Sequence, residues 1–290
     1  MSVQHPFGLN GAGLGLRRSL LPALLVNKPD CIDFFEVSPE NWIGVGGALG
    51  KQFRALTERY RFVAHGLALS LGGPVPLDTQ FLRELKAFLD DHDFALYTEH
   101  LSFCSDEGHF YDLYPIPFTE QAVKHVAARI RQTQDILDRP IALENASYYV
   151  QPPHAEMDEL SFINAVLQEA DCYLHLDVNN IYVNSVNHGY DASAFLRGLP
   201  GERIVYGHVA GHDMEPSGLI IDTHGQKTIE PVWALLDEAY QHFGVFPTLV
   251  ERDSNIPPLE TLVGEVERIA TLQTLHGIGR TQTQTLEAAA

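Results

Sequence analysis

The sequence predicts an α/β protein of the (β/α)8 barrel class, on three observations. Eight short β-type runs alternate with helical patterns along the 290 residues. Helix-to-strand links are short, about 1–2 residues around Arg61 and Asp93 and about 2–4 around Arg139 and Gly244. Strand-to-helix links are long: 102–118, 146–157, 179–190 and 210–228. Strands each followed by a helix make a parallel barrel, whose strand-to-helix loops gather on one face.

The strands are expected near 8–16, 31–37, 62–70, 94–101, 140–145, 172–178, 203–209 and 247–252. Between them, Phe81, Leu82, Leu85, Phe88 and Leu89 repeat at 3–4 residue spacing and predict a helix over 78–92, with Asp78 as N-cap. Val123, Val126, Ile130, Ile136 and Leu137 do the same for 119–137. Val232, Trp233, Leu235, Leu236, Ala239, Tyr240 and Phe243 give 229–243 a broad apolar face. A last helix starts after Pro257-Pro258, where proline suits a first turn. Residues 1–275 are expected to form one domain and 276–290 a flexible C-terminal tail. The competing doubly wound nucleotide-binding sheet would rest on GAGLGL at 11–16. That fingerprint fails, because Leu16 stands at the third glycine position and little strand precedes Gly11.

Composition narrows the function classes. The formal charge is −19, which opposes phosphate-rich partners and argues against nucleic acid. Cys31, Cys104 and Cys172 are odd in number, far apart and form no CxxC pair. Neither a disulfide framework nor a zinc knuckle fits, and a reducing cytoplasm does. The N-terminus has no signal-peptide pattern, and no apolar run approaches the roughly 20 residues needed to span a membrane.

The strand ends carry the chemistry. In chain order they offer Glu36 with Glu40, His65, Glu99 and His100, Glu144, Asp177 with Asn180 and His188, then His208 with His212, Asp222 and His224, and Glu251. A barrel brings these to one mouth. Imidazole and carboxylate without thiolate suit iron, manganese or zinc in a reactive site. One ion takes at most about six such ligands, so this surplus implies two or three ions with bridging carboxylates. A metal would also keep Asp177 ionised at the end of a core strand. His175 shares a strand face with Asp177 and is expected to orient it, while His125, His154 and His242 are expected at the surface. Glu36 and Glu99 fit a ligand or a salt bridge equally. Phe110, Tyr111, Tyr114, Tyr148 and Tyr149 could line a peptide-gripping lid, and Cys104 reads as a small buried hydrophobe. A divalent-metal sugar isomerase or epimerase, an endonuclease-like hydrolase and a non-enzymatic metal-binding protein are the other classes compatible with these residues.

The motifs GAGLGLR, DFFEVSPENW, HGLALSLGG, TEHLSF, LENASYY, HLDVNNIYVNSVNHGYD, HVAGH, DTHG and LVERD occur in this order. Together, over about residues 8–255, they resemble the multinuclear non-heme iron-dependent oxidative enzymes, a family of xylose-isomerase-like TIM barrels. The resemblance implies two or three iron ions (Fe2+/Fe3+) used with dioxygen to modify cysteines in a ribosomally made precursor peptide. The products in such relatives include thiooxazole and oxazolone–thioamide groups. It also implies a small partner protein that recognises the precursor's leader. Carried over by motif, His65, His100, Glu144, Asp177, Asn180, His188, His208, Asp222, His224 and Glu251 are the expected metal ligands. Asp177, Glu144 and His65 are the expected catalytic residues.

Overall fold

A computed structural model describes residues 6–106 and 108–287, with the side chains of His109, Tyr111 and everything from 278 on outside the described set. Eight parallel strands close into a barrel. They are β1 (Ala12–Gly15), β2 (Phe34–Val37), β3 (Arg61–Gly66), β4 (Leu96–His100), β5 (Ala142–Glu144), β6 (Tyr173–Asp177), β7 (Ile204–Val209) and β8 (Thr248–Val250). The barrel helices are α1 (Leu21–Val26), α2 (Gly47–Thr57), α3 (Thr79–Asp91), α4 (Glu120–Leu137), α5 (Glu159–Ala170), α6 (Val178–His188), α7 (Ala192–Arg197), α8 (Glu230–Phe243) and α9 (Leu259–Glu287). The backbone of α9 continues into the segment that the sequence reading set apart as a tail. Among the described residues no helix is long and apolar enough to cross a membrane.

Local chemistry places the boundaries. The Asp78 carboxylate accepts from Gln80 N and Phe81 N, at 2.9 and 3.0 Å, and opens α3. Thr119 and Asp158 cap α4 and α5 in the same way. Two expectations change. The loops 102–118 and 210–228 each hold a short antiparallel hairpin, Phe103–Ser105 with His109–Tyr114 and Asp213–Met214 with Ile220–Ile221. Residues 179–190, read as a long loop, are mostly helix α6. Asp177 accepts from Asn180 N at 2.6 Å and starts that helix at the strand's end, and Gly189 (φ 75°) stops it.

The two-residue repeat of a strand builds the interior in layers. An apolar floor holds Phe34, Val63, Leu96, Ala142, Tyr206 and Leu249. Two places further along, the same inward faces carry Glu36, His65, Thr98, Glu144, His208 and Glu251, all buried. The outward residues of the strands pack under the helices in one large core that includes Leu14, Phe35, Ala64, Leu143, Leu176 and Val250. Strand β1 differs, because its inward positions are glycines. A Cβ on Gly13 would lie 2.4 Å from the Phe34 ring, so only glycine lets that ring fill the floor.

Candidate metal centre

Pairing registers put neighbouring inward residues side by side: His65 beside Thr98, His100 beside Glu144, Glu144 beside His175, and Asp177 beside His208. The result is a polar cluster across the barrel mouth. Three groups of its side chains are spaced to share an ion: His65, Glu144, His175 and His208; Glu36, His208 and Glu251; and Asp177, His224 and Glu251.

On the β3–β5 side, His65 Nε2 and His100 Nε2 lie 3.2 Å apart. Glu144 Oε2 is 2.8 Å from the first and 3.1 Å from the second. Ligands held about 2.1 Å from one ion, with right angles between them, are themselves about 3.0 Å apart. On the β6–β8 side, His208 Nδ1 is 3.0 Å from Glu251 Oε2 and 3.7 Å from Asp177 Oδ2. Glu251 Oε2 also lies 3.3 Å from His224 Nδ1, and His224 Nε2 lies 2.7 Å from Asp222 Oδ1.

Each ring is oriented from behind. His100 Nδ1 meets the Gly66 carbonyl at 2.9 Å, His208 Nε2 meets Glu36 Oε2 at 2.9 Å, and His224 Nδ1 meets Asp253 Oδ2 at 2.9 Å. Those oxygens accept, so these nitrogens carry the protons and the opposite nitrogen of a neutral ring presents a lone pair. The lone pairs aim at carboxylate oxygens. Either the rings are doubly protonated or a cation lies between. Unsatisfied atoms favour the cation: Glu144 Oε2, Asp177 Oδ2, Asn180 Oδ1, His208 Nδ1, His224 Nε2 and Glu251 Oε2 are all buried without a hydrogen-bond partner. Their neighbours approach closely but not in hydrogen-bonding geometry. Six of the ten expected ligands thus present an unsatisfied N or O donor atom, the chemistry a borderline transition metal takes.

The electrostatics agree in direction. Burial and the nearby Glu144 carboxylate push the Asp177 acid well above its ordinary range. Burial would strip a proton from His100, but Glu144, Glu99 and the Gly66 carbonyl together outweigh it and hold the imidazolium up to about 10. His208 is likewise held well above normal, against burial, by Glu36 and Glu251.

The expected residues divide as follows. His65, His100, Glu144, Asp177, His208 and Glu251 are brought together on the strands. Asn180, on the first turn of α6, donates from Nδ2 to Glu144 Oε1 at 3.0 Å and keeps its Oδ1 unsatisfied. Asp222 and His224 come in from the loop after β7, fixed by Ser147 and Asn179 donating to the two Asp222 oxygens at 2.9 and 2.7 Å. His224 holds a left-handed backbone (φ 48°), a conformation non-glycine residues avoid. His188 is the correction. The capped helix carries it eight residues, about 12 Å, beyond Asn180. There it stacks on Tyr148 at 4.1 Å and its Nε2 meets the Tyr148 carbonyl at 2.9 Å. His212 is held by Asn179 Oδ1 at 2.7 Å.

Sequence reasoning left Glu36 undecided; it orients His208, and Tyr206 OH donates to the same oxygen at 2.9 Å. Glu99 turns away, accepting from Tyr97 OH at 2.7 Å and from His100 N. His175 sits beneath the cluster with both ring nitrogens unsatisfied, 4.0 Å from the His208 ring. Missed were Thr98, 2.6 Å from His65 Nδ1, and Asn179 and Ser147 behind Asp222. The asparagine run after Asp177 was the available signal for Asn179. His125, His154 and His242 are exposed, and Cys104 is buried. Phe110 and Tyr114 are exposed on the hairpin, Tyr148 is buried, and the Tyr111 side chain lies outside the described residues.

A family model described as "RiPP precursor modification enzyme MbnB/TglH/ChrH" matches residues 11–274. A UPF0276 protein of Nitrosospira multiformis is 62% identical over 264 residues, covering 91% of this chain and 93% of its own. A UPF0276 protein of Pseudomonas aeruginosa strain PAO1 is 53% identical over 275 residues, covering 95% and 96%. Among solved structures, an L-ribulose 3-epimerase superposes with TM-score 0.57 at 15% identity, covering 99% of this chain and 97% of its own. Endonuclease IV from Thermus thermophilus does so with TM-score 0.55 at 13% identity, covering 91% and 98%. At such identity these two share the fold alone.

Proposed function

The chain belongs to the RiPP precursor modification enzyme family MbnB/TglH/ChrH, and from that premise we propose that it oxidatively modifies cysteines of a ribosomally made precursor peptide with iron and dioxygen. The observation that carries the reading is the set of six buried, unsatisfied N and O atoms converging on the barrel mouth. His65, His100 and Glu144 would hold one ion, and Asp177, His208 and Glu251 a second. Asp222 and His224 would serve a third, and Asn180 stands beside Glu144. Bound iron supplies thiolate ligation of the substrate sulfur and one-electron chemistry with dioxygen. The chain's own part is positional. Thr98, Gly66, Glu36 and Asp253 fix the ring orientations, and Asn180 fixes Glu144, so each donor atom is set before a ligand arrives. Glu144, Asp177 and His65 are the groups proposed to face the reacting residue. The apolar floor lies beneath the site, and a cleft lined by His65, His100, His224 and Glu251 opens to it. A small leader-recognising partner would deliver the peptide, and three free cysteines fit a cytoplasmic location.

The test is metal analysis of protein purified under argon, then incubation with a Cys-containing precursor encoded beside its gene, first without and then with air. Two to three irons per chain and an oxygen-dependent mass change, abolished by Cys→Ser in the peptide, are expected. Stoichiometric zinc with no iron-dependent activity would move the protein to the isomerase and hydrolase classes. Full turnover without oxygen would exclude the oxidative reading.

A further inference from the structure

A cleft of about 470 Å³ reaches the cluster from the side of β1 and β2. One wall is His65, His100, His224 and Glu251. Arg17, Arg18, Asn41 and Trp42 line the same cleft. It therefore holds both candidate ligand atoms and two guanidinium groups.

Gly15 is an inward position of β1, and the Arg17 guanidinium lies over it: a Cβ there would stand 3.4 Å from Arg17 Nη1, at ordinary van der Waals contact. Arg17 pairs with Asp253, whose other oxygen holds His224 Nδ1 at 2.9 Å. Its charge is already committed to the ligand shell.

Arg18 is different. Its Nη2 donates to the Asn41 carbonyl at 2.6 Å, and its guanidinium carbon sits 5.4 Å from the centroid of the Trp42 ring. Trp42 is itself buried and stacked on Phe53 at 4.2 Å. Among the described residues Arg18 forms no ion pair with any carboxylate. What sets it apart from the other unpaired cations is its place on the lining of this cleft. A hydrogen bond and a cation–π contact pin it, so little side-chain entropy remains to be lost when its free N–H donors take a ligand. The fork of a guanidinium matches a carboxylate. The −19 charge does not forbid an acidic ligand here, because beyond about 8 Å the rest of that charge is screened.

We propose that Arg18, held on Trp42 with Arg17 beside it, binds a carboxylate of the substrate adjacent to the residue being modified. This rests on the reading of the mouth as the modification site. The carboxylate could be the peptide's terminal group or an acidic side chain next to the reacting cysteine, and the experiment separates them.

Protein purified under argon with its iron is titrated calorimetrically with four synthetic peptides: acetyl-Gly-Cys-Gly as free acid and as amide, and acetyl-Gly-Cys-Glu-amide with acetyl-Gly-Cys-Gln-amide. Every peptide carries the same thiol, so differences within a pair report the carboxylate. We expect one acid to bind about tenfold more tightly than its neutral partner. Preference in the first pair identifies a terminal carboxylate, and preference in the second an acidic side chain. Arg18→Gln should reduce the preference to about twofold or less, and Arg18→Lys should restore only part of it, since a lysine lacks the fork. Equal binding of acids and amides by the wild type overturns the proposal, as does a preference that survives Arg18→Gln in protein with unchanged circular dichroism. Iron content is measured on the same samples. Intact iron with no carboxylate preference defeats this inference alone, whereas a carboxylate preference in protein that takes no iron defeats the proposed function instead.

Discussion

His92 at the foot of the barrel and His65, His100, His208 and His224 at its mouth are the same side chain in opposite company. His92 is ringed by Phe53, Phe88 and Phe94, with centroids at 4.9, 4.9 and 6.3 Å, and its Nδ1 meets Thr57 Oγ1 at 2.8 Å. Burial, with Arg54 beside it, lowers its pKa to about 4. Each mouth histidine instead faces a carboxylate and has a second oxygen behind it. The difference teaches what a barrel does with one residue type. The C-terminal ends of the strands concentrate imidazoles and carboxylates spaced to share an ion, while the foot uses the same ring as an aromatic filler.

The largest effect should come from the mouth. Glu144 Oε2 sits between two imidazole nitrogens at 2.8 and 3.1 Å, and Oε1 is held by Asn180. Glu144→Ala should remove more than one ion per chain. The loss of activity should exceed the roughly 10–100-fold that losing an outer-shell partner costs. Metal analysis on protein purified under argon is the check, and full metal content in the variant would break the assignment.

Within the mouth, strand and loop should also separate. Asp222 and His224 stand on the β7–α8 loop and rely on hydrogen bonds to Ser147, Asn179 and Asp253. Asp222→Ala or His224→Ala should lose one ion and leave the others, because His65, His100 and Glu144 are held by the barrel itself. Equal loss of all ions in these variants and in Glu144→Ala would show one indivisible cluster.

This strand–loop divide also explains what could be read in the sequence. The strand-borne candidate ligands reach one mouth because each follows an apolar floor residue by an even number of places, a spacing the sequence displays: Val63 to His65, Leu96 to His100, Ala142 to Glu144, Leu249 to Glu251. His188 was misplaced because nothing in the asparagine run forbids a loop, and only the Asp177 cap turns it into a helix that carries the ring away. The role of Glu36 was hidden because its partner, His208, is 172 residues distant and meets it only when the barrel closes. The bare inner face of β1 was visible as GAGLGLR. That Gly13 makes space for the Phe34 ring follows from a neighbour the sequence does not name.

A smaller effect tests the outer partners. Glu36→Gln keeps an oxygen for His208 Nε2 and removes the charge. Metal affinity should fall about 10–100-fold, with stoichiometry recovered at high iron. A titration indistinguishable from wild type would demote Glu36 to a structural hydrogen bond.

The smallest expected effect belongs to the foot, and its sign follows from linkage. His92 titrates near 6.5 when unfolded and at about 4 when folded, the depression coming from burial first, then Arg54, with Asp91 opposing. Between those values the unfolded chain binds the extra proton, so stability from this group is complete above about pH 6.5 and is lost as pH falls toward 4. The ring is partly solvated, which limits the size of the term. His92→Phe, which cannot titrate, should therefore show a shallower fall in melting temperature between pH 6.5 and 4 than the wild type. The comparison uses the slope, because replacing the ring also alters stability at every pH through the lost Thr57 bond. It is best made on protein with its metal bound, so that the mouth histidines stay ligated and contribute equally to both curves. If the two slopes coincide, His92 is not the neutral filler that its three phenylalanine neighbours make it, and the contrast between foot and mouth loses its lower half.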